Sequence, residues 1–334
     1  MATLFTRIGS ILGAIMLLVL VAIATPASAQ QPSSVNPTAS SVQEDKLLQE
    51  LRRIQGRITI PDQRASVLEQ PAGRDWRQFQ QVTLRWIGGI SIVGILVILI
   101  LFYSIRGMIK MSRGRSGRTI TRFNGLERFT HWLTAGTFII LAISGLNITF
   151  GKSLLLPLIG PEAFTGFSQW AKYAHNYLSF PFTLGLVVIF FIWIKDNFPG
   201  KIDVEWLKQG GGIVGNKHPL ARRFNAGQKI VFWIVVLGGG AVAITGYLLM
   251  FPFYGTGVAG MQTAQVVHGI VGVVLIGIML AHIYIGTLGM EGAFEAMSTS
   301  EVDLNWAEEH HKLWVEEEMK GKAPAGGRTA TART

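Results

Sequence analysis

The chain has 334 residues, of which 49% are hydrophobic and only 15% charged, and it carries a net charge of +10 without any cysteine. This composition is typical of a protein with several membrane spans and argues against a soluble domain. The lack of cysteine excludes disulfides and iron–sulfur clusters held by this chain, so any bound metal would depend mainly on histidine.

The N-terminus has the pattern of a secretory signal peptide. Arg7 precedes an apolar run at residues 8–24, and the small residues Ala27-Ser28-Ala29 follow it. This pattern predicts cleavage after Ala29, giving a signal peptide at residues 1–29; an uncleaved anchor is the alternative. Either way, residues 30–85 are predicted to form an exported tail, with a possible helix at residues 44–55 and nothing that indicates catalysis.

Five apolar segments of about the length needed to cross a bilayer as helix follow the tail. They cover residues 86–103, 131–150, 175–194, 228–251 and 264–288. The predicted fold class is therefore all-α integral membrane. A four-helix bundle at residues 131–288 is joined by one additional N-terminal transmembrane helix at residues 86–105, with a basic linker at residues 106–130 and a tail at residues 289–334.

The basic residues predict the orientation of these spans. Basic residues are concentrated in the connections after the first and third spans, up to the first turn of the fourth span. They are Arg106, Lys110, Arg113, Arg115, Arg118, Arg122, Arg128, Lys195, Lys201, Lys208, Lys217, Arg222, Arg223 and Lys229. Between the second and third spans there are only Lys152 and Lys172, and the loop at residues 251–264 has none. By the positive-inside rule the basic loops are cytoplasmic, which agrees with an exported N-terminus. We therefore expect a multi-pass protein of a bacterial inner membrane, with a periplasmic mature N-terminus, a cytoplasmic C-terminus, lipid contacts and no nucleic-acid partner.

Four histidines lie within the predicted spans, and the orientation gives each a depth. His131 begins a span that leaves the cytoplasm, whereas His175 begins one that returns from outside. In the last span His268 is external, and His282 is cytoplasmic on nearly the same helix face, roughly 21 Å further along the axis. The depth-matched pairs are therefore His131 with His282 and His175 with His268.

Two bis-histidine sites at different depths are typical of two non-covalent b-type haems, so the bundle is predicted to bind haem. A histidine-based proton channel or transporter would favour intramembrane carboxylates, of which the spans have almost none. Zinc usually takes three or four protein ligands, whereas each depth offers two. An anchor without haem remains a further alternative.

Other residues near these pairs have predicted supporting roles. Gly145 lies fourteen residues after His131 and is expected to face the external haem from that helix. Arg128 and Lys172 each precede a ligand by three residues and are expected to approach the anionic propionates, although interfacial snorkelling explains them equally well. His310 and His311, in the charged tail, are expected to make surface or partner contacts.

Four motifs occur within residues 122–318. They are Leu-Glu-Arg-Phe-Thr-His-Trp at 126–132, Arg-Phe-Asn-Ala-Gly-Gln-Lys at 223–229, His-Gly-x-x-Gly followed by Ala-His-Ile-Tyr from 268, and Asn-Trp-Ala-Glu-Glu-His-His-Lys-Leu-Trp at 305–314. Together they resemble the cytochrome b (gamma) subunit family of respiratory formate dehydrogenases. The histidine pattern alone is also similar to the cytochrome b subunits of nickel–iron hydrogenases and related reductases.

The resemblance implies an electron-transfer subunit without a formate-oxidising site of its own. Such subunits anchor an iron–sulfur (beta) subunit and a molybdenum or tungsten catalytic (alpha) subunit at the outer face, and pass electrons through two haems to quinone near the inner face. The family's quinone site corresponds here to Asn225, Gly227 and Gln228, beside His282. Gly227 would let the quinone ring approach the backbone; the alternative for Asn225 is a helix N-cap.

Overall fold

A computed structural model describes residues 71–212, 218–252 and 254–322. The predicted signal peptide, most of the exported tail with its possible helix, Lys217 and the end of the C-terminal tail lie outside the described residues. The described residues form two compact units, the first comprising residues 71–86 and 147–168, and the second comprising residues 87–146 and those described from 169 to 322. All four intramembrane histidines belong to the second unit.

Long helices make up most of the described chain. Helix α1 (Pro71–Gln78) leads through a π-helical turn (Phe79–Thr83) into α2 (Leu84–Arg106). The following helices are α3 (Gly125–Leu154), α4 (Leu156–Trp193), the short α5 (Lys201–Lys208), α6 (Ala226–Met250) and α7 (Val258–Tyr284). A 3-10 turn (Ile194–Asp196) extends α4, and a π-helical turn (Ile285–Gly289) extends α7.

Within the described residues, five helical stretches are long and apolar enough to cross a membrane. They are Gly73–Arg106, Gly125–Leu154, Leu156–Asp196, Ala226–Met250 and Val258–Gly289. The five predicted spans and the all-α membrane fold are thus confirmed. Most of these helices are longer than predicted, because hydropathy marks the apolar centre of a span and misses polar turns that continue the same helix.

In the first unit, polar and glycine contacts join the end of α3 to the start of α4. Asn147 Nδ2 donates to Ser168 Oγ at 3.1 Å. Gly151 packs against Asn147 and Phe164, since a Cβ there would lie 2.2 Å from Asn147 Oδ1. Gly160 has φ +79°, a left-handed conformation that breaks the regular helix near the start of α4 and that glycine adopts without steric cost.

In the second unit, close glycine contacts bring the helices of the bundle together. A Cβ at Gly185 would lie 2.2 Å from Thr134 Oγ1, and one at Gly239 would lie 2.8 Å from Leu186 Cδ1. Small residues of this kind let membrane helices pack at short distance. The additional helix α2 packs on α7 in the same way, because a Cβ at Gly277 would lie 2.4 Å from the side chain of Ile95.

The segments before and after the bundle fold together into a terminal cap. Its elements are β1 (Thr119–Thr121), α8 (Glu295–Ser298), β2 (Glu301–Asp303) and α9 (Leu304–Lys322). The two strands pair antiparallel, with Ile120 opposite Val302. Val302, Trp306 and Trp314 are buried with Trp193, at the end of α4. The predicted linker and tail are therefore partners in one small core, and this two-stranded sheet is an addition to the predicted all-α fold.

The expected surface position of His311 is wrong. This residue is only 1% exposed, and its Nδ1 lies 2.9 Å from the Arg222 carbonyl oxygen. Arg122, also buried, approaches its ring at 3.1 Å. The apolar residues Trp306, Ala307 and Trp314 explain the difference: they give the charged segment one face that packs into the cap and takes His311 with it. His310 is half-buried, with its ring beside Trp306.

Candidate functional site

His175 and His268 face each other in the second unit, from helices α4 and α7. Their ring centroids are 6.1 Å apart and the ring planes are inclined at 63°. We refer to them as the 175–268 pair. They are 93 positions apart in sequence, and the structure brings them together as their matched depths predict.

His131 and His282 form the corresponding 131–282 pair, contributed by α3 and α7. Their ring centroids are 6.3 Å apart with the planes inclined at 56°. Helix α7 therefore contributes one histidine to each pair, and α3 and α4 contribute the other two. The two pairs have nearly the same ring separation although their partner helices differ.

The hydroxyl of Ser144, on α3, lies beside the Nδ1 atom of His175. Ser144 Oγ lies 2.8 Å from the Ile140 carbonyl oxygen, to which it donates, and 2.8 Å from His175 Nδ1. Because the hydroxyl donates to that carbonyl, its lone pair accepts a hydrogen bond from Nδ1–H. His175 is then the tautomer whose Nε2 has a free lone pair, the form in which imidazole binds a metal.

Thr245 on α6 makes the same arrangement with His268. Its Oγ1 donates to the Ala241 carbonyl oxygen at 2.6 Å and lies 3.1 Å from His268 Nδ1. Both histidines of the 175–268 pair therefore present Nε2 with a lone pair. Partners of this second shell commonly orient metal-bound histidines.

A glycine follows each of these hydroxyl residues and lies against the same ring. A Cβ at Gly145 would be 3.5 Å from His175 Cε1, and a Cβ at Gly246 would be 3.3 Å from His268 Cε1. Gly145 thus faces the 175–268 pair as expected. Ser144 and Thr245 were not among the residues predicted from the sequence. Their signal is a short repeat, Ala-Ile-Ser-Gly at 142–145 and Ala-Ile-Thr-Gly at 243–246.

The 131–282 pair has different surroundings. His131 Nδ1 is buried and has no hydrogen-bond partner among the described residues. Arg128, which the sequence predicts near a propionate, donates through Nε to the Met297 carbonyl oxygen at 3.2 Å and through Nη2 to that of Ser298. It thereby holds the end of α8. Lys172 is exposed on α4, three residues before His175.

Glu127 connects the motif at residues 126–132 with the motif at residues 223–229. It is 2% exposed, and its Oε1 accepts from Trp193 Nε1 at 2.7 Å and from Arg223 Nη2 at 2.6 Å. Its Oε2 accepts from the backbone N–H of Asn124 at 2.9 Å, which caps the start of α3. One carboxylate therefore joins the helix that carries His131 to the segment that leads into Asn225.

Asn225 and Gln228 form a capping box at the start of α6. Asn225 Oδ1 accepts from the Gln228 backbone N–H at 2.9 Å, and Gln228 Oε1 accepts from the Asn225 backbone N–H at 3.0 Å. The N-cap alternative is thus present in the structure. The cap uses the side-chain oxygens of Asn225 and Gln228. The side-chain NH2 groups of the same two residues are the donors that a carbonyl ligand would need.

The backbone at Gly227 is covered by an aromatic ring. A Cβ at Gly227 would lie 3.2 Å from Trp206 Cη2, and one at Gly211 would lie 2.5 Å from the same atom. The indole of Trp206 is therefore held between these two glycines. Gly227 was expected to let a quinone ring approach the backbone, and in this structure the ring against it is that of Trp206.

The separation of each histidine pair fits one metal ion held between two imidazoles. With metal–nitrogen bonds of about 2 Å, and about 1.2 Å from each nitrogen to its ring centre, two rings on opposite sides of a metal have centres about 6.4 Å apart. The observed separations are 6.1 and 6.3 Å. In the 175–268 pair each Nδ1 faces a hydroxyl oxygen, so Nε2 is the ring nitrogen left to bind a metal. These residues fit bis-histidine haem iron.

Comparison with known proteins gives consistent matches. Residues 122–300 match the family described as prokaryotic cytochrome b561. The chain is 30% identical over 206 residues to the cytochrome b556(fdo) subunit of formate dehydrogenase from Escherichia coli, covering 60% of this chain and 94% of that protein. It is 27% identical over 212 residues to the nitrate-inducible cytochrome b556(Fdn) subunit from the same organism, covering 62% and 94%. A Haemophilus influenzae formate dehydrogenase cytochrome b556 subunit is 24% identical over 211 residues, covering 61% and 85%.

Proposed function

Because the chain belongs to the prokaryotic cytochrome b561 family and is similar along most of their length to cytochrome b556 subunits of formate dehydrogenases, we propose that it is the membrane cytochrome b subunit of a formate dehydrogenase complex. It passes electrons from partner subunits to quinone and has no formate-oxidising site. The observation that carries the proposal is the presence of two histidine pairs that share helix α7. In each pair the rings have the separation that a metal bound by two histidines requires.

In this proposal each histidine pair holds one haem b without covalent attachment. His175 and His268 hold one, and His131 and His282 hold the other. Bound haem supplies reversible one-electron chemistry of iron at these positions. The protein's part is to fix the ligand rings, through Ser144 and Thr245 in one pair, and to exclude water.

The quinone is proposed to bind at the start of α6, near the 131–282 pair. The side-chain NH2 groups of Asn225 and Gln228 donate to a quinone carbonyl, while their oxygens keep the helix capped. Trp206, held against Gly227, provides an aromatic wall beside them. Quinone reduction also needs protons, and the proposed cytoplasmic position of this end supplies them from the cytoplasm.

The partners are proposed to be an iron–sulfur subunit and a molybdenum- or tungsten-containing catalytic subunit at the outer face. The chain is placed in a bacterial inner membrane, with its mature N-terminus periplasmic and its C-terminus cytoplasmic. Support comes from the basic loops of the sequence, which predict this orientation. The additional helix α2 precedes the matched segment and packs on α7 through Ile95.

An optical spectrum of the purified complex, combined with mass spectrometry of the co-purified chains, tests this function. We expect two b-type haems per chain that formate reduces, and a molybdopterin subunit in the complex. A complex without haem would contradict the cytochrome assignment. Two haems with a nickel–iron subunit would instead contradict formate as the electron source and assign the chain to a hydrogenase.

A further inference from the structure

The two histidine pairs differ in the hydrogen bonding of the ring atom Nδ1. In the 175–268 pair both Nδ1 atoms face a hydroxyl oxygen, from Ser144 at 2.8 Å and from Thr245 at 3.1 Å. In the 131–282 pair, His131 Nδ1 is buried with no partner in the described part of the chain. The difference involves the ring nitrogen that does not bind the metal.

The direction of these hydrogen bonds decides their effect. Each hydroxyl already donates to a helix carbonyl four residues earlier, at 2.8 Å for Ser144 and 2.6 Å for Thr245. Each therefore accepts from Nδ1–H. An acceptor on Nδ1–H makes the imidazole more electron-rich, so its Nε2 becomes a stronger donor to the metal. A stronger donor stabilises iron(III) over iron(II) and lowers the reduction potential.

We propose that Ser144 and Thr245 are positioning residues that hold His175 and His268 as Nδ1–H tautomers and so give the haem at the 175–268 pair the lower reduction potential of the two. This inference rests on the proposed function, in which each pair holds a haem. Transfer toward the 131–282 pair is then downhill: one electron leaves iron(II) at the first pair and reduces iron(III) at the second, and no proton moves. Two hydroxyls thereby set the direction of electron flow through the chain.

Both hydroxyl residues are buried, and each is followed by a glycine that lies against the same histidine ring. Ser144 is 3% exposed and Thr245 is 9% exposed. The glycine that follows each of them brings the helix backbone to within contact of the same ring. Ordinary hydroxyls that bond only to their own helix also occur here: Thr137 Oγ1 donates to the Leu133 carbonyl oxygen at 2.7 Å. Thr137 therefore offers a control for the loss of a buried hydroxyl.

Potentiometric titration of the purified complex, followed at the haem absorption bands, tests the inference. We expect two components, and expect Ser144→Ala and Thr245→Val each to raise only the lower potential. The expected change in the ratio of oxidised to reduced haem is about tenfold for each hydroxyl, or about 59 mV for one electron. Ser144→Thr and Thr245→Ser keep a hydroxyl and should restore the potential, and Thr137→Val should leave both components unchanged.

Several results would overturn the inference. One is a lower component that keeps its potential in both Ser144→Ala and Thr245→Val, and another is a shift of the same size in Thr137→Val. If one variant fails to assemble, the other tests the same claim from a different helix, and Ser144→Cys offers a weaker acceptor at the first position. Absence of two haem components in the unaltered complex would refute the proposed function itself, whereas two components unaffected by these variants would refute only the role of the hydroxyls.

Discussion

At the scale of single residues, most of the proposed function depends on which atom of a side chain is free. His175 and His268 each use Nδ1 for a hydroxyl and so leave Nε2 for a metal. Asn225 uses its oxygen for the helix cap and so leaves its NH2 group for a ligand. A residue can therefore stabilise the fold and take part in the site at the same time, through different atoms.

Replacing His282 should remove one haem and leave the other. In His282→Ala the ring opposite His131 is lost, and we expect redox titration to show a single haem component, which the donor subunits still reduce. Quinone reduction should fall to background, because the haem beside the quinone is missing. His218→Ala, at an exposed histidine outside the spans, is the control and should keep both components. Two haems in His282→Ala would remove this residue from the site.

Asn225 can be tested separately for its two roles. Asn225→Ser keeps an N-cap oxygen but removes the side-chain NH2 donor, whereas Asn225→Ala removes both. If the NH2 group binds quinone, both variants should slow quinone reduction by about tenfold, the effect of about 1.4 kcal/mol for a lost hydrogen bond, while both haems are still reduced by formate. Full turnover in Asn225→Ser with slow turnover in Asn225→Ala would assign Asn225 to the cap alone.

At the scale of elements, the helices α3 and α6 are joined at their starts by Glu127 and Arg223. The contact is 2.6 Å long, with Glu127 2% exposed and Arg223 29% exposed. Arg223 also pairs with Asp196 at 2.9 Å, beyond the end of α4. The starts of two helices and the end of a third are thus held in one polar network, on the side of the bundle where His131 lies.

Glu127→Gln should destabilise this network. The amide keeps the shape of the side chain but leaves the Arg223 guanidinium without its closer carboxylate, so we expect a loss of about 2 kcal/mol. Thermal unfolding of the complex, followed by haem absorbance, measures the change. Glu308→Gln is the matched control, because the Glu308–Arg113 pair is exposed and should contribute less than about 1 kcal/mol. Equal effects of the two variants would contradict a structural role for the buried pair.

The long helices and the histidine pairs could be predicted from the sequence because each depends on a strong local signal. Apolar length marks the spans, and depth within a span pairs the histidines. The strands β1 and β2 could not be predicted, since three residues each carry too little pattern and their partner lies far along the chain. The burial of His311 was missed for a related reason: the core into which its helix packs is completed by residues far away in sequence, such as Arg122, 189 positions before it. Ser144 and Thr245 left a signal, but only as a short repeat.

At the scale of the whole molecule, the terminal cap gives the chain a region whose stability depends on pH. Burial lowers the pKa of His310 from 6.5 to about 4. Burial, together with the nearby Arg122 charge, lowers the pKa of His311 well below its ordinary value. Both rings are therefore neutral in the folded cap. Burial also lowers the pKa of Arg122 to about 9, with the Arg223 charge as a second cause.

Acid should therefore loosen the cap. Below about pH 6.5 the unfolded segment takes up protons that the folded cap excludes, so its stability is fully present above pH 6.5 and falls as the pH approaches 4, by up to about 1.4 kcal/mol per pH unit for each histidine. Hydrogen exchange of the amides in α9 measures this slope. His310→Leu should make the slope shallower, and an unchanged slope in that variant would contradict a buried, neutral His310.

The pairing of β1 with β2 also has a consequence for how the protein is made. Thr119 and Glu301, which hydrogen-bond across the strands, are 182 positions apart, and the four helices of the bundle lie between them. At about 5–20 residues per second, a ribosome needs roughly ten to forty seconds to supply the second strand after the first. Until then β1 has an unpaired edge and Ile120 has no Val302 to cover it. Closure of the sheet therefore marks a chain whose last span has been synthesised, whereas a chain that ends before β2 keeps the edge of β1 unpaired.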